Sequence, residues 1–253
     1  MKFIHAITRK PGKKFAQGIT SANLGKPDYG LMLKQHRVYI ELLKSLGLTV
    51  IELDALQDFP DAYFVEDTAV VTPEVAILTN SGPDTRKGEV CFMEPVLAKY
   101  RKIERIEAPG TVDGGDVLMV DKQFFIGISD RTNEDGAKQL AAILEKYGYE
   151  CTPIDVEAGL HLKSSVNYVG KNTLLMTAEF VEHKAFENYS KIIVNRGEEY
   201  SANTLFVNDY LITPAGFPST KKKLEKLDLP IIELDVNEAR KMDGGLTCMS
   251  IRF

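Results

Sequence analysis

One arrangement recurs along this chain of 253 residues: an apolar alternating run, a short polar turn and a second apolar run. Each copy has the pattern of a β-hairpin. Successive copies begin 49, 49 and 38 residues apart, and a period of this size indicates a repeat array that closes on itself. The copies are DTAVV-TPE-VAILTN from Asp67, DVLMV-DKQ-FFIGIS from Asp116, SVNYV-GKN-TLLMTAE from Ser165 and NTLFV-N-DYLITPAG from Asn203.

Helical patterns and short β-branched runs separate the hairpins. The segment 27–47 carries apolar residues at helical spacing and ends at Gly47, which suits a helix C-cap. The segment 132–148 repeats this pattern with Asn133 as the candidate N-cap. The runs TVIELD, KIERIEA and PIIELDV then predict a third strand for their units. The repeating unit is therefore hairpin, helix and strand, present five times if the two termini complete one unit.

The chain ends in DGGLTCMSIRF, and this tail has the pattern of packed structure. Met249, Ile251 and Phe253 alternate with polar residues, as in a half-buried strand. We expect the strand TCMSIRF, from Thr247, to lie beside the N-terminal strand KFIHAIT and so close a ring. No stretch has the composition of a flexible linker, so residues 1–253 are expected to form a single domain.

Charge and cysteine content exclude several classes of protein. The formal net charge is −5 with basic residues spread along the chain, which argues against nucleic-acid binding. No apolar run reaches membrane-spanning length, and the start MKFIHAITRKPG lacks the apolar stretch of a signal peptide. Cys91, Cys151 and Cys248 are odd in number and far apart, so neither a disulfide framework nor a zinc site is expected. A cytoplasmic protein without a membrane partner fits these features.

Chemically reactive residues fall at one recurring place, just before the first strand of a unit. Since equivalent strand ends converge on the axis of a closed repeat array, these residues are expected to meet there. A thiol, an imidazole and a carboxylate are the components of an activated cysteine nucleophile. The candidates are Glu66 and Asp67 in the first hairpin unit, Asp113 and Asp116 in the second, His161 in the third and Cys248 in the last strand.

Each candidate alone has an ordinary structural interpretation. Cys248 could be a small core residue, and His161, between two leucines, could be a histidine at a strand end. The DGGD motif from Asp113 could be a common turn with glycines at positive φ, and Glu66 with Asp67 could be a solvated strand end. The occurrence of all of them at one position of the repeat favours a functional site.

Four separated motifs, in the same order, resemble those of dimethylarginine dimethylaminohydrolases: FPDAYFVEDTAVV, RIEAPGTVDGGDVL, LHLKSSVNYV and DGGLTCMSIRF. TSANLGKPDY near the start and GPDTRKGE in the middle extend the resemblance along nearly the whole chain. It implies a pentein fold, which is a five-bladed α/β propeller of ββαβ units with pseudo-fivefold symmetry and a site on the axis. This is the ring that the repeats predict.

The resemblance also implies roles for individual residues. Cys248 is implied as nucleophile, His161 as general acid and base, and Asp113, where some members have Glu, as the carboxylate that orients the histidine. The residues implied to bind substrate are Asp67 with Glu66 beside it for the guanidinium, Arg86 and Arg131 for the α-carboxylate, and Asp61 with the Ile19 backbone for the α-amine. This chemistry requires no metal and no organic cofactor.

The implied reaction converts asymmetric dimethylarginine or monomethylarginine to citrulline and an amine through a covalent S-alkylthiouronium on the cysteine. Arginine deiminases carry an aspartate two residues after the catalytic histidine, whereas this chain has Lys163 there. Arginine deiminase, another guanidino-compound hydrolase and an amidinotransferase remain alternative enzymes. A non-catalytic ribosome-binding propeller is the alternative outside enzymes. We expect a small-molecule substrate, and a homodimer is left open.

Overall fold

The computed structural model of the protein describes residues 2–253, which contain fifteen short strands. Four pairs of them coincide with the four predicted hairpins. The strands are β1 His5–Arg9, β2 Thr49–Leu53, β3 Ala69–Val71, β4 Val75–Leu78, β5 Lys102–Arg105, β6 Val117–Val120, β7 Gln123–Ile128, β8 Glu150–Asp155, β9 Val166–Tyr168, β10 Thr173–Met176, β11 Ser190–Ile193, β12 Leu205–Val207, β13 Tyr210–Pro214, β14 Ile231–Leu234 and β15 Ile251–Arg252.

The strands form five separate sheets of three, and all five share one topology. In each sheet the middle strand pairs antiparallel with the strand before it and parallel with the strand after it. The antiparallel partner needs only a tight turn, whereas the parallel partner needs a crossover segment. Five units with the same strand arrangement are thus confirmed, and they form the expected α/β propeller.

The two ends of the chain complete one blade together. β15 pairs antiparallel with β1 at Ile251 and Ile7, while β1 pairs parallel with β2 at His5 and Thr49. Residues of the five inner strands β3, β6, β9, β12 and β15 surround one cavity of about 170 Å³. The C-terminal strand therefore closes a ring around an axial cavity, as the repeat pattern predicts.

Four crossovers contain an α-helix: α1 Tyr29–Ser45, α2 Glu94–Leu97, α3 Glu134–Glu145 and α5 Pro218–Leu224. Two further helices, α4 Leu162–Ser165 and α6 Asn237–Arg240, connect successive blades. The predicted cap of α3 is confirmed, because Asn133 accepts a hydrogen bond from the Gly136 N–H at 2.8 Å. Gly47 follows α1 with φ +87°, the left-handed conformation that a helix end favours in glycine.

Two local predictions are wrong. The crossover between β10 and β11 contains only the 3₁₀ turns Ala178–Phe180 and Lys184–Phe186, and the His183 side chain accepts from the Ala185 N–H where a helix would continue. The last strand begins at Ile251 rather than at Thr247. The residues before it form a turn instead, because their polar groups bond to other blades. The described part of the chain contains no helix both long and apolar enough to cross a membrane.

Candidate active site

The candidate residues lie in tight turns that lead into the inner strands. Val65–Thr68 and Gly114–Asp116 are 3₁₀ turns before β3 and β6, and α4 precedes β9. A Cβ on Gly114 would lie 2.0 Å from the Glu66 carbonyl oxygen, and one on Gly115 would lie 2.6 Å from His161 Nδ1. Neither glycine has positive φ. The glycines of DGGD therefore permit close packing of the turns, which the interpretation as an ordinary turn does not explain.

His161 and Asp113 form a buried pair. His161 Nε2 lies 3.3 Å from Asp113 Oδ2. The other carboxylate oxygen, Oδ1, accepts from Ser81 Oγ at 2.8 Å and from the Gly82 N–H at 3.2 Å. Asp113 is 1% exposed, so three hydrogen bonds hold its carboxylate in one orientation toward the imidazole.

The imidazole of His161 carries a positive charge at neutral pH. Burial opposes that charge, but three surrounding carboxylates outweigh burial and raise the pKa of His161 to about 9. These carboxylates belong to Asp67, Asp113 and Asp116. The resting site therefore holds a proton on the imidazole that it can donate.

Cys248 lies in the turn before β15, partly buried. The Gly245 N–H donates to its Sγ at 3.3 Å, and the Glu66 N–H donates to its carbonyl oxygen at 3.1 Å. Burial raises the pKa of the thiol to about 12, and the carboxylates of Glu66 and Asp67 add to the increase. The thiol is therefore protonated in the empty site, and ionisation requires an additional positive charge nearby.

Asp67 faces the same pocket and is bonded on both oxygen atoms. Its Oδ2 accepts from Arg86 Nη1 at 2.6 Å, and its Oδ1 accepts from the Gly115 N–H at 2.9 Å. Burial opposes ionisation of Asp67, but Arg86 and His161 hold its pKa below the usual value. An ionised carboxylate offers about four acceptor positions, so Asp67 can accept two further N–H groups.

Arg86 is part of a buried ion-pair network. Its Nε and Nη2 donate to the two carboxylate oxygens of Glu89 at 3.0 and 2.8 Å. Nη2 also donates to the carbonyl oxygens of Phe64 and Asp61. With Nη1 bonded to Asp67, one Nη1 hydrogen remains for a ligand. Arg86 thus orients Asp67 in addition to facing the pocket.

Glu66, also near Cys248, accepts three hydrogen bonds. Its Oε1 accepts from Lys163 Nζ at 2.6 Å and from Arg252 Nη2 at 3.3 Å, and its Oε2 accepts from Thr247 Oγ1 at 2.7 Å. Glu66 and Lys163 line both the axial cavity and the cavity that contains Cys248. This ion pair therefore lies between the two cavities.

The predicted amine and carboxylate contacts lie at the opposite side of the pocket. Both oxygens of Asp61 lie within 3.2 Å of the Ile19 backbone nitrogen. Burial raises the pKa of Asp61, while Arg86 and the Ile19 N–H partly oppose this. The guanidinium of Arg131 makes no hydrogen bond or ion pair with any other residue in the described range 2–253. It is therefore free to pair with a ligand carboxylate.

One cavity brings the predicted residues together. All of them except Glu66 line a narrow cavity of about 30 Å³, together with Phe64, Leu160, Met242 and Gly244. A wider cavity of about 560 Å³ shares Cys248 and His161 with it and reaches Glu66. Thiol, imidazole, carboxylates and a free guanidinium thus line one connected site.

One group of side chains in the site could also hold a metal ion. Asp67, Asp113 and His161 each offer a ligand atom, and these atoms lie within 4.8 Å of one another. Arg86 already supplies a positive charge to Asp67, and Ser81 occupies an oxygen of Asp113. We therefore interpret this group as machinery for proton transfer, and the expected absence of a metal stays a prediction.

Sequence reasoning missed residues that support the site. Ser81 holds Asp113, and nothing in its sequence neighbourhood marks this role. Asn203 accepts from the Thr247 N–H at 3.0 Å and donates to Thr247 Oγ1 at 3.1 Å, so it fixes the turn before Cys248. Asn203 opens the fourth hairpin, the place where the other units carry reactive residues. That repeat position is a signal by which Asn203 could have been found.

Comparisons with known proteins identify the family of this chain. The family model of arginine deiminase matches residues 51–200. The N(G),N(G)-dimethylarginine dimethylaminohydrolase of Pseudomonas aeruginosa is 43% identical over 253 residues, covering 99% of this chain and 100% of the relative. A crystal structure of the Pseudomonas aeruginosa enzyme, a cysteine-to-serine mutant complexed with citrulline, superposes with a TM-score of 0.98. It is 42% identical and covers 100% of both chains.

A more distant structure shares the fold alone. The N-terminal domain of a cyanobacterial arginine dihydrolase superposes with a TM-score of 0.89 at 17% identity, covering 99% of this chain and 97% of that one. The propeller is thus common to proteins with little sequence in common. Any assignment of chemistry must therefore rest on the residues of the site.

Proposed function

Since this chain belongs to the dimethylarginine dimethylaminohydrolase family, we propose that it hydrolyses Nω-methylated arginines to citrulline and dimethylamine or methylamine. The observation that carries this proposal is the meeting of Cys248, His161, Asp113 and Asp67 in one cavity. The citrulline bound in the Pseudomonas aeruginosa relative supports it, because citrulline is the product expected of this reaction.

Substrate binding follows from the groups left unpaired in the pocket. Asp67 can accept two N–H groups of a guanidinium and so fix its plane against the thiol. Arg131, with no partner of its own among the described residues, pairs with the α-carboxylate, and the remaining Arg86 N–H assists. The α-amine binds at the Asp61 carboxylate and at the Ile19 backbone, which lies beside Asp61.

Ionisation of the thiol depends on the substrate. The pKa of Cys248 is raised to about 12 chiefly by burial in the empty site, so the thiol retains its proton there. A bound guanidinium places a positive charge beside the thiol, and His161 adds a second one. Both charges favour the thiolate, which then attacks the guanidinium carbon while the thiol proton passes to solvent. The Gly245 N–H stabilises the negative sulfur.

His161 transfers protons in both halves of the reaction. In the first half its imidazolium protonates the leaving amine as the C–N bond breaks, which leaves an S-alkylthiouronium on Cys248. In the second half the neutral imidazole takes a proton from water, and the resulting hydroxyl attacks the same carbon. The C–S bond breaks, the proton of the added hydroxyl passes to the sulfur, and citrulline forms as the thiol of Cys248 is restored. Asp113 orients the imidazole throughout.

We propose that residues 1–253 act as one catalytic domain. This chain alone supplies Cys248, His161, Asp113 and Asp67 to the cavity. A cytoplasmic location stays a prediction that rests on three cysteines without disulfides.

The test is direct: purified protein is incubated with asymmetric dimethylarginine, monomethylarginine or arginine, and citrulline is measured. Citrulline from the methylated substrates is the expected result. Citrulline from arginine alone would establish an arginine deiminase. Transfer of the amidino group to an added amine would establish an amidinotransferase. If no guanidino compound reacts, catalysis is excluded and the ribosome-binding alternative is tested by co-sedimentation.

A further inference from the structure

Asp116 is a buried carboxylate that the proposed mechanism does not use. It is 0% exposed and accepts three hydrogen bonds. Its Oδ1 accepts from the Leu162 N–H at 2.9 Å, and its Oδ2 accepts from Ser129 Oγ and Thr132 Oγ1, each at 2.7 Å. A Cβ on Gly127 would lie 2.9 Å from Oδ1, so that glycine leaves room for the carboxylate.

Because both hydroxyl groups donate to Asp116, their oxygen atoms are oriented to accept hydrogen bonds from neighbouring backbone N–H groups. Thr132 Oγ1 gives its proton to Asp116, so its lone pairs face the Asp113 N–H, 3.1 Å away. Ser129 Oγ likewise gives its proton to Asp116, and it accepts from the Arg131 N–H at 3.0 Å and from the Thr132 N–H at 3.1 Å. Each branch therefore ends at a residue of the active site.

The third branch ends at the histidine. Leu162 directly follows His161 and is the first residue of α4, so its bond to Asp116 fixes the backbone from which the imidazole projects. The charge of Asp116 also favours the imidazolium form of His161.

We propose that Asp116 is a positioning residue that holds His161, Asp113 and Arg131 in one relative geometry through three hydrogen-bonded branches. The branches to Asp113 and Arg131 are also joined to each other, because the Thr132 N–H donates to Ser129 Oγ. The His161–Asp113 contact of 3.3 Å lies at the long end of the range for a hydrogen bond, so small displacements of either backbone would break it. Displacements of about 1 Å are sufficient to lower rates strongly. The kinetic part of this inference rests on the proposed function.

A carboxylate is the side chain that fits this position. An amide at residue 116 has one oxygen and one NH₂ group. If the NH₂ group faces Leu162, two donors oppose each other. If it faces the hydroxyls, their protons lose their acceptor and the bonds to Asp113 and Arg131 lose their orientation. Asp116→Asn therefore disrupts at least one branch while preserving the volume of the side chain.

The experiment compares variants that break single branches. Thr132→Val removes the branch to Asp113, and Ser129→Ala removes the branch to Arg131. We expect Thr132→Val to lower kcat by about 10–100-fold with little change in KM, a typical range for outer-shell partners. Ser129→Ala should mainly raise KM. Asp116→Asn should do both, and Thr132→Ser, which keeps the hydroxyl, should retain wild-type kinetics.

Glu198→Gln is the matched control. Glu198 also accepts three hydrogen bonds, from the Ser219 and Thr220 N–H groups and from Thr220 Oγ1, but these lie at the start of α5. The kcat and KM of the Glu198→Gln variant should equal those of the wild type. Thermal unfolding of every variant shows whether it is folded. If Asp116→Asn does not fold, the Thr132→Val and Thr132→Ser pair decides the question.

A second readout does not depend on turnover: the imidazole NMR signals of His161 at fixed pH. Asp116→Asn and Thr132→Val should shift them, whereas Glu198→Gln and Thr132→Ser should not. If the wild type forms no citrulline but this pattern holds, the proposed function fails and the positioning role stands. The inference is overturned if Asp116→Asn leaves both the signals and the kinetics unchanged, or if Thr132→Val and Ser129→Ala alter the same kinetic parameter equally.

Discussion

Arg86 Nη1 donates to Asp67 Oδ2 over 2.6 Å, and both side chains are buried. The other N–H groups of Arg86 are directed mainly to Glu89 and to backbone carbonyls. Arg131 faces the same cavity but pairs with no other residue in the described part of the chain. The two arginines predicted to bind the α-carboxylate therefore differ: Arg86 also orients the carboxylate that binds the guanidinium.

Replacing each arginine should separate these roles. Arg131→Ala should raise KM for methylarginine by about 10–150-fold, since a charged hydrogen bond contributes about 1.5–3 kcal/mol. That effect should vanish with N-methylagmatine, which has no α-carboxylate. Arg86→Ala should lower kcat on both compounds, and it should lower the free energy of unfolding by about 3–5 kcal/mol because buried carboxylates lose their partner. Equal behaviour of the two variants would contradict the assignment.

The same assignment makes arginine inside a peptide a poor substrate. Its α-carboxylate is an amide, so Arg131 has no charged partner to bind. Citrulline formation from a blocked methylarginine peptide should be lower than from the free amino acid by at least the factor lost in Arg131→Ala. Full activity on the peptide would show that neither arginine recognises the carboxylate.

Cys248 should react selectively with cationic reagents. Burial, with Glu66 and Asp67, raises the pKa of its thiol to about 12, so neutral iodoacetamide should label it more slowly than the exposed Cys91. A haloacetamidine brings a positive charge and should label Cys248 first. Intact-mass and peptide analysis measure the site of labelling. Cys248→Ser should abolish turnover and this labelling while remaining folded, whereas equal labelling of all three cysteines would refute a special thiol.

Much of the architecture could be predicted because its signals are local. Hairpins such as that from Asp116 pair two short apolar runs, and left-handed turn residues such as Asp121 and Asn208 connect their strands. The ring closure at Ile251 follows from counting incomplete units at the two termini. The position of the reactive residues in the repeat, together with the family resemblance, was sufficient to predict that Cys248 and His161 lie in one cavity, as they do.

What sequence reasoning missed depends on contacts between residues that are not neighbours in sequence. The last strand was predicted from Thr247, but bonds from Asn203 hold that segment in a turn. The distance between Arg86 and Asp67 in sequence is 19 residues, and no periodicity reports their pairing. Ser81 resembles any loop serine until its bond to Asp113 is seen. These hydrogen bonds form only because turns from different parts of the chain pack closely in the folded protein, so no local sequence pattern predicts them.

The raised pKa of His161 predicts how stability depends on pH. Burial opposes the imidazolium, but neighbouring carboxylates raise its pKa to about 9, above the ordinary value near 6.5. The protonated histidine therefore stabilises the fold below about pH 6.5, and this contribution is lost as pH rises through about 9. It amounts to on the order of 3 kcal/mol. The pKa of Asp67 is lowered, so its ionised carboxylate stabilises the fold above the ordinary carboxyl pKa, and this contribution is lost in acid.

Chemical denaturation of the wild type and His161→Gln at several pH values measures this contribution. The wild type should lose stability relative to the variant between pH 6.5 and 9. The charged or titrating groups around the imidazole are Asp67, Asp113, Asp116 and Cys248, and the comparison with His161→Gln isolates the contribution of the imidazole from theirs. A difference that stays constant with pH would show that His161 is neutral in the folded protein.

The Lys163–Glu66 ion pair predicts preference for methylated substrates. Lys163 occupies the position where arginine deiminases, by family resemblance, carry a second aspartate. Glu66, the other carboxylate near Cys248, already accepts from Lys163, Arg252 and Thr247. Glu66 thus keeps one of about four acceptor positions. An unmethylated guanidinium would therefore leave at least one buried N–H donor without a charged acceptor, whereas the methyl groups of dimethylarginine need none.

We expect kcat/KM for asymmetric dimethylarginine or monomethylarginine to exceed that for arginine by about 5–150-fold, since an unpaired donor costs about 1–3 kcal/mol. Citrulline formation at equal subsaturating concentrations measures the ratio. Lys163→Met should free an acceptor position on Glu66 and reduce the ratio, and Lys163→Arg, which keeps the charge, should preserve it. If both variants keep the wild-type ratio, the occupied Glu66 is not its cause. If the wild type turns over arginine fastest, the methylarginine assignment fails and the deiminase interpretation replaces it.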